Sequence, residues 1–528
     1  MDLRAELARL TTDQTLLNWA SDVAAGLAKD AQITAQLNEA LHTSQLNAAL
    51  HTANIKIQAL MLELAHHRRM RFGVKNEALS TEQRDLFEES WEADLAELEA
   101  QVNVLVDVPS PKTKRPRAGR QPLPEHLERV VYRHEPESCS CAQCGNDLVK
   151  IGEDITEQLD VEPARFFVNQ HIRPQYACRQ CETIIAATIP PAIIDGGMAA
   201  TGLLTWVAVS KFVDHLPLYR LTQIGERNGV PLPSSNLSSW IGTVGFSLQA
   251  LGDRMSFLLR QRLVLHADET PVAQLDPGKG KTKRAYLWAY RSSDLDEGPP
   301  IVVFDYQPGR SGSFARDFLQ QWQGHLMVDD FSGYKALFRA GVTELACWAH
   351  ARRKVFDLHA ANQSPIAATA LKWIAVLYSI EKAGKDLDVN ARQYLRQQES
   401  KPALDSFYAW LIQIRLTVAP GSGTAKALDY TLRRWPALIR YADSGSLPID
   451  NNPVENTIRP IAIGKKNWLY AGSERAGRRA AAIQSLLGTA KLNGLDPYAW
   501  LKNTLEKLPT CLNSDIDTLL PFRLTEKN

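Results

Sequence analysis

RLVLHADETPVA (residues 262–273), KRAYLWAYRSS (283–293) and PPIVVFDYQP (299–308) are three successive apolar runs separated by turn signals. Rich in β-branched and aromatic residues, they read as three strands. SGSFARDFLQQW (311–322) reads as a helix, HLMVDD (325–330) as a short buried strand and GYKALFRAG (333–341) as another helix. TELACWAH (343–350) supplies a fifth strand, and ARRKVFDLHAA (351–361) begins a further helix. The order β-β-β-α-β-α-β-α is that of a ribonuclease H-like domain. The fold class expected is therefore multidomain α/β, with this domain at its centre over residues 256–510.

Acids at the ends of buried strands are costly unless paired or bound to metal. Asp268 is read as ending the first strand and Asp329 as ending the fourth, two neighbouring parallel strands in such a sheet. Glu455 lies beyond them in IDNNPVENTIRP, where Pro453 suits a first helical turn and Asn451 or Asn452 can cap it. The interval after Asp329 leaves room for a helical insertion at residues 360–445. Asp268, Asp329 and Glu455 are thus the candidate catalytic acids and ligands of two Mg²⁺ or Mn²⁺ ions. Hard divalent cations prefer oxygen, and a pair about 3.5–4 Å apart serves the attacking and leaving oxygens of phosphoryl transfer. Each acid has a competing neighbour: Glu269, Asp330 and Asp450. Strand alternation lets only one of each adjacent strand pair face the metals.

Four of the seven cysteines form two CxxC pairs, Cys141/Cys144 and Cys178/Cys181. Two such knuckles complete a closed tetrahedral Zn²⁺ site, structural because no coordination position stays open. Cys139, His134 and His171 are less regularly spaced substitutes. This defines a zinc-binding module at 125–190.

Upstream, residues 1–107 read as a helical, coiled-coil N-terminal region, with Leu46, Leu50, Ala53, Ile57, Leu60 and Leu64 alternating spacings of four and three. Residues 108–124 form a Pro- and Lys/Arg-rich linker. In 191–255, YRLTQIGERNG, the break VPLP and SSNLSSWIGTVG read as a helix-turn-helix-like segment with a Ser-capped second helix, or as two ordinary packed helices. Residues 511–528 read as a C-terminal tail.

The net charge is only +1, but basic residues cluster locally. Local patches set phosphate contact. The candidate DNA-binding residues are Arg68, Arg69 and Arg71 in HHRRMRFGVK, Arg352 and Arg353 beside His350, and Arg459, Lys465, Lys466 and Trp468 after Glu455. Trp468 offers a flat face to an unpaired base; plain core packing is its other reading. No apolar run reaches about 18 residues and MDLRAELARL lacks the pattern of a signal peptide, so a bacterial cytoplasmic, nucleoid-associated protein without a membrane segment is expected.

RRMRFGVKNE, CAQCG, LPLYRLTQIGERNGVPLPSSNLSSWIG, HADETPV, VDDFSGY, CWAHARRKVFD and DNNPVENTIRPIAIGKKNWLYAGSERAG, in this order, resemble the large transposases of the insertion-sequence-sixty-six family. The resemblance runs along nearly the whole chain. It implies a DDE transposase acting on the inverted ends of its own element, with Asp268, Asp329 and Glu455 as the catalytic acids. VDDF departs from the pattern, which usually has Gly after the Asp; alignment with Ser332-Gly333-Tyr334 favours Asp329 over Asp330. The resemblance also implies target DNA, a homo-oligomer and small accessory transposition proteins as partners. A nuclease of the same fold that cleaves without joining, and a non-catalytic DNA-binding relative, are the rival readings.

Overall fold

The computed structural model describes Lys29 and residues 123–135, 149–162, 165–276 and 281–523. All but Lys29 fall in one of the two units into which the chain divides. The coiled-coil seam, Arg68, Arg69, Arg71, Cys141 and Cys144 lie outside the described residues. In the N-terminal part, β1 (Arg129–Arg133) runs parallel to β3 (Arg165–Ala177). β2 (Val149–Glu162) and the short β4 (Ile184–Ala186) lie antiparallel to β3. Burial in this sheet is concentrated at the end nearest the β2–β3 turn, through Leu159, Val161, Phe167 and Val168.

Four helices follow: α1 (Thr201–Phe212), α2 (Leu218–Arg227), α3 (Ser234–Ser247) and α4 (Gln249–Leu259). α2 and α3 are the two helices of the segment expected to be helix-turn-helix-like. α3 buries Leu237, Ser238, Trp240, Ile241, Gly242, Val244 and Gly245, while Ser235 is exposed and Ser239 and Thr243 are half-buried. Its first helical residue is Ser234, and Pro233 stands at the cap without a side-chain hydrogen bond. The pair is packed core, sharing one apolar cluster with the strands that follow.

Those strands are β5 (Val264–Asp276), β6 (Lys281–Ser292) and β7 (Val302–Gln307). After α5 (Gly312–Leu319) come β8 (His325–Val328), α6 (Lys335–Arg339), β9 (Thr343–Ala346) and α7 (Trp348–Asn362). The sheet order is β7-β6-β5-β8-β9, with β5–β7 antiparallel and β8 and β9 parallel to β5. Both faces are apolar, in strict alternation. Leu265, Ala267, Trp288, Tyr290, Ile301 and Val303 join the cluster of α1, α3 and α4. Val272, Ala285, Leu287, Val302, Phe304 and Tyr306 pack on the other side against Val454, Ile458, Ile461 and Ala481.

Between α7 and the closing helices lies a helical insertion: α8 (Pro365–Ala383), α9 (Val389–Leu395), α10 (Lys401–Thr417) and α11 (Gly423–Ile439). It has its own core around Trp348, Phe407 and Trp435. Fully buried Arg396 is paired with Glu381 and donates to the carbonyls of Tyr441 and Leu447 at 2.9 Å each, pinning the returning chain. α12 (Asn452–Trp468) and α13 (Glu474–Leu492) then cover the sheet, and α14 (Pro497–Lys507) follows. The edge strand β7 is sealed by α13. Ser485 Oγ accepts from Phe304 N at 2.7 Å and Thr489 Oγ1 from Val302 N at 3.1 Å, which removes a template for strand addition. Residues 513–522, inside the segment expected as a tail, pack instead. Leu519, Leu520 and Phe522 are buried, and Asp517 takes both ends of the Arg254 guanidinium at 2.6 Å. Among the described residues no helix is long and apolar enough to cross a membrane.

One close approach gives a test of this packing. A Cβ on Gly477 of α13 would overlap the ring of Tyr306, whose hydroxyl is held by Gln274 at 3.0 Å. Alanine gains about 1 kcal/mol of helix propensity over glycine, but overpacking costs about 1–3 kcal/mol. Because the tethered ring cannot retreat, Gly477→Ala is expected to lower the melting temperature. A rise would show that the α13–sheet contact yields.

Candidate active site

The second strand face carries the chemistry. On β5, His266, Asp268 and Thr270 share the side of Val272, toward α12, while Glu269 points the opposite way. Asp268 does not end its strand: β5 runs on eight residues further because β6 pairs with it throughout. The strand that ends is β8, whose pairing with β5 covers only Val264–His266. Asp329 follows directly after it, so Asp268 stands in mid-strand at the edge of the notch that β8 leaves.

α12 delivers Glu455. Asn451, at its cap position, makes no side-chain cap. Its Oδ1 lies 3.0 Å from His266 Nδ1 and its Nδ2 donates to Ala267 O at 3.0 Å. The helix start is thereby bolted to β5, with Glu455 one turn on.

The three neighbouring acids are all engaged elsewhere. Glu269 accepts from Arg310 Nε at 2.7 Å and from the Tyr334 hydroxyl at 2.9 Å. Asp330 accepts from Arg434 at 2.7 Å. Asp450 accepts from the Tyr378 hydroxyl and from Asn452 Nδ2, both at 2.8 Å. By contrast Asp268 accepts from its neighbour's backbone, Glu269 N at 2.9 Å, and Asp329 from Phe331 N at 2.9 Å. Neither pairs with a basic side chain among the described residues. Burial, then the charges of Glu269, Asp329 and Glu455, push the Asp268 carboxyl up to about 8. Mutually repelling carboxylates that lack a counter-charge are a donor set suited to a hard divalent cation.

Sequence reasoning missed one residue here and left another open. Arg310 stacks on Phe331 at 4.0 Å while pairing with Glu269, and so fixes the acid beside Asp268. His350, left open between packing and site contact, has its Nδ1 3.6 Å from Glu455 Oε1, and Arg353 lies 3.7 Å from Oε2.

With this geometry in place, the comparisons are decisive. Residues 196–479, more than half of the chain, match the family model described as Transposase IS66 family. The chain belongs to the IS66 transposase family. Three further segments match its companion models: the zinc-finger binding domain of transposase IS66 at 138–182, Transposase C of IS166 homeodomain at 59–131, and the IS66 C-terminal element at 485–522. Relatives include two proteins of Sinorhizobium fredii described as uncharacterized proteins y4jD and y4qI. Each is 36% identical, over 88% and 89% of this chain and 94% and 89% of their own lengths.

For an IS66-family transposase the partner is DNA, and the remaining residues take their places accordingly. Arg352, Arg353, Arg459 and Lys466 are exposed, while Lys465 donates to Pro271 O at 3.1 Å, next to the acids. Trp468 is half-buried against the α12–sheet core and lines a cavity of about 80 Å³ with Tyr470 and Arg479.

The described half of the zinc module has knuckle geometry. Cys178 N donates to Thr183 O at 3.0 Å and Glu182 N to Cys178 O at 2.9 Å, with Glu182 left-handed at φ 55°. Cys178 and Cys181 thus sit on a tight turn, as two ligands of one Zn²⁺ must. His134 and His171 contact each other at 2.9 Å, which engages both away from that turn.

The pairing of Asp330 with Arg434 makes a second test. Asp330→Asn keeps an acceptor for Arg434 and is expected to leave strand transfer within about threefold of wild type. Arg434→Met exposes Asp330 and Glu344 to each other and costs about 1.5–3 kcal/mol, the worth of a charge-assisted bond. Loss of strand transfer in a folded Asp330→Asn protein would make Asp330, rather than Asp329, the candidate metal ligand.

Proposed function

We propose that this transposase is a DDE enzyme with a ribonuclease H-like catalytic domain, cutting the inverted ends of its insertion sequence and joining them to target DNA. The observation carrying this reading is that Asp268 feels the charges of Asp329 and Glu455, and that neither Asp268 nor Asp329 has a basic partner among the described residues, while Glu269 and Asp330 are paired with arginines and Asp450 is held by Tyr378 and Asn452. The sheet order, three antiparallel strands followed by two parallel to the first, supports the fold.

Asp268, Asp329 and Glu455 would hold two Mg²⁺ or Mn²⁺ ions. When bound, these supply charge neutralisation on the attacking and leaving oxygens of the scissile phosphate. The chain's own part is positioning. Asn451 fixes α12 against β5, Arg310 keeps Glu269 out of the site, and the cations of α7 and α12 receive the flanking phosphates. The zinc module, with one structural Zn²⁺ on Cys141, Cys144, Cys178 and Cys181, and the N-terminal basic segment with Arg68, Arg69 and Arg71 select the element ends. The enzyme acts on DNA in the bacterial cytoplasm as a homo-oligomer, with small accessory transposition proteins.

Supplying pre-cut element ends and target DNA with Mg²⁺ or Mn²⁺ tests the reading. Joined product is expected. Cleavage of uncut ends without any joining would make the protein a nuclease, and end binding without either reaction a DNA-binding relative.

A further inference from the structure

Cys347 occupies the cap position of α7, and His350 follows in its first turn, so both look the same way along the helix. Two contacts stitch the start of α7 to the start of α12. Asn451 N donates to Cys347 Sγ at 3.2 Å, and Trp348 N donates to Ile449 O at 3.1 Å. Ligand atoms of Cys347, His350 and Glu455 consequently lie within 4.8 Å of one another.

His350 Nδ1 and Glu455 Oε1 face each other at 3.6 Å, too far for a hydrogen bond. Both atoms are buried and neither has a hydrogen-bond partner. Leaving two such atoms unsatisfied is costly, and a cation between them would satisfy both. Cis ligands about 2.1 Å from an octahedral ion stand about 3.0 Å apart, so a small side-chain shift from the 3.6 Å seen would bring both atoms onto one ion. Cys347 Sγ is already taken by backbone N–H groups of Asn451 and His350, so it anchors the turn behind the site.

We propose that His350 is a nitrogen ligand of the divalent ion held by Glu455, and that this half of the site therefore takes Mn²⁺ in preference to Mg²⁺. Mn²⁺ shares the preference of Mg²⁺ for oxygen but, as a first-row transition ion, accepts an imidazole nitrogen more readily than Mg²⁺, which dehydrates reluctantly and keeps to oxygen. The inference rests on the reading above that Glu455 is a metal ligand.

Pulsed electron paramagnetic resonance on the full-length protein with substoichiometric Mn²⁺ tests it. Zn²⁺ is d¹⁰ and contributes no signal. The wild type is expected to show ¹⁴N coupling from a directly bound imidazole. In His350→Gln that coupling disappears and Mn²⁺ binds at least about tenfold more weakly, the low end of what losing even an outer partner costs. Mn²⁺ that depends on Asp268, being released in Asp268→Asn, yet shows no ¹⁴N coupling in the wild type overturns the inference alone and leaves His350 and Glu455 a simple pair. Coupling that persists in His350→Gln also overturns it, assigning the nitrogen to another ring such as His266. Mn²⁺ binding indifferent to Asp268→Asn removes the acid-site reading and this inference with it.

Discussion

Asp268→Asn is expected to lower strand transfer of pre-cut ends by at least about a thousandfold while leaving affinity for element ends within about twofold. On the reading proposed above, losing a ligand of the divalent ions would remove several kcal/mol of transition-state charge stabilisation, and about 4 kcal/mol corresponds to three decades in rate. The substitution conserves volume and retains an oxygen to accept from Glu269 N. β5 is paired with β6 on both sides of Asp268 and with β8 as far as His266, so the fold has no reason to yield. Stability should move the other way. The carboxyl is raised to about 8 in the folded protein by burial and by like charges. An acid raised on folding binds its proton more tightly in the native state, so its ionisation costs stability as pH climbs from its unfolded value toward the folded one. In chelator, therefore, the Asn variant should melt higher than wild type, with the gap widening between about pH 4 and pH 8. Gel shift, strand-transfer gels and thermal melts measure the three quantities. Strand transfer retained within tenfold of wild type would remove Asp268 from the reaction.

How far the site was legible from sequence depended on the range of the interaction. The alternating strands around Asp268 declare themselves locally, because Trp288 and Tyr290 on one face and Leu287 and Ala289 on the other each follow a period of two. The adjacency of β5 and β8 follows from their order. The position of Asp268 within β5 does not, because the strand's true end depends on how far β6 pairs with it. The resemblance alone favoured Asp329 over Asp330; the physical support, the pairing of Asp330 with Arg434, was out of reach because Arg434 lies 104 residues on and becomes a neighbour only when the insertion folds back. The ambiguity of α2 and α3 has the same cause. Their turn chemistry fits a DNA-reading pair and a packed pair equally, and burial of α3 against α13 joins residues more than two hundred positions apart. His350 was visible as part of CWAH, three residues after a cysteine at a helix start. The partner that gives that spacing meaning, Glu455, is more than a hundred residues away.

Cys178→Ser is expected to cost the chain its zinc, about one ion per protein, and its specific binding to element ends, while the catalytic sheet keeps its own melting transition. Structural Zn²⁺ contributes about 10–16 kcal/mol of apparent folding free energy to small modules, far more than this sheet can supply by burial. Much of β2 faces solvent, with Ile151 and Ile155 each 52% exposed, so the apolar contribution is confined to the end nearest Leu159 and Phe167. Without the ion the knuckle must still hold Glu182 left-handed, a conformation that costs a non-glycine residue about 1–2 kcal/mol. Release of that turn should free β4, which pairs with β3 through only three residues, Gln175 to Ala177. The five-stranded sheet shares one apolar cluster with Leu159, Val161 and Val168, but those residues stand at the end of β2 and β3 remote from the knuckle, and its two clusters otherwise draw on α3, α4, α12 and α13. Zinc analysis, a two-transition melt and end-binding titrations together decide the matter. A Cys178→Ser protein that retains a full zinc complement would assign the fourth ligand elsewhere, with Cys139 the first candidate, since His134 and His171 engage each other. A variant that loses zinc yet still binds element ends with unchanged affinity would move end selection wholly to the N-terminal basic segment.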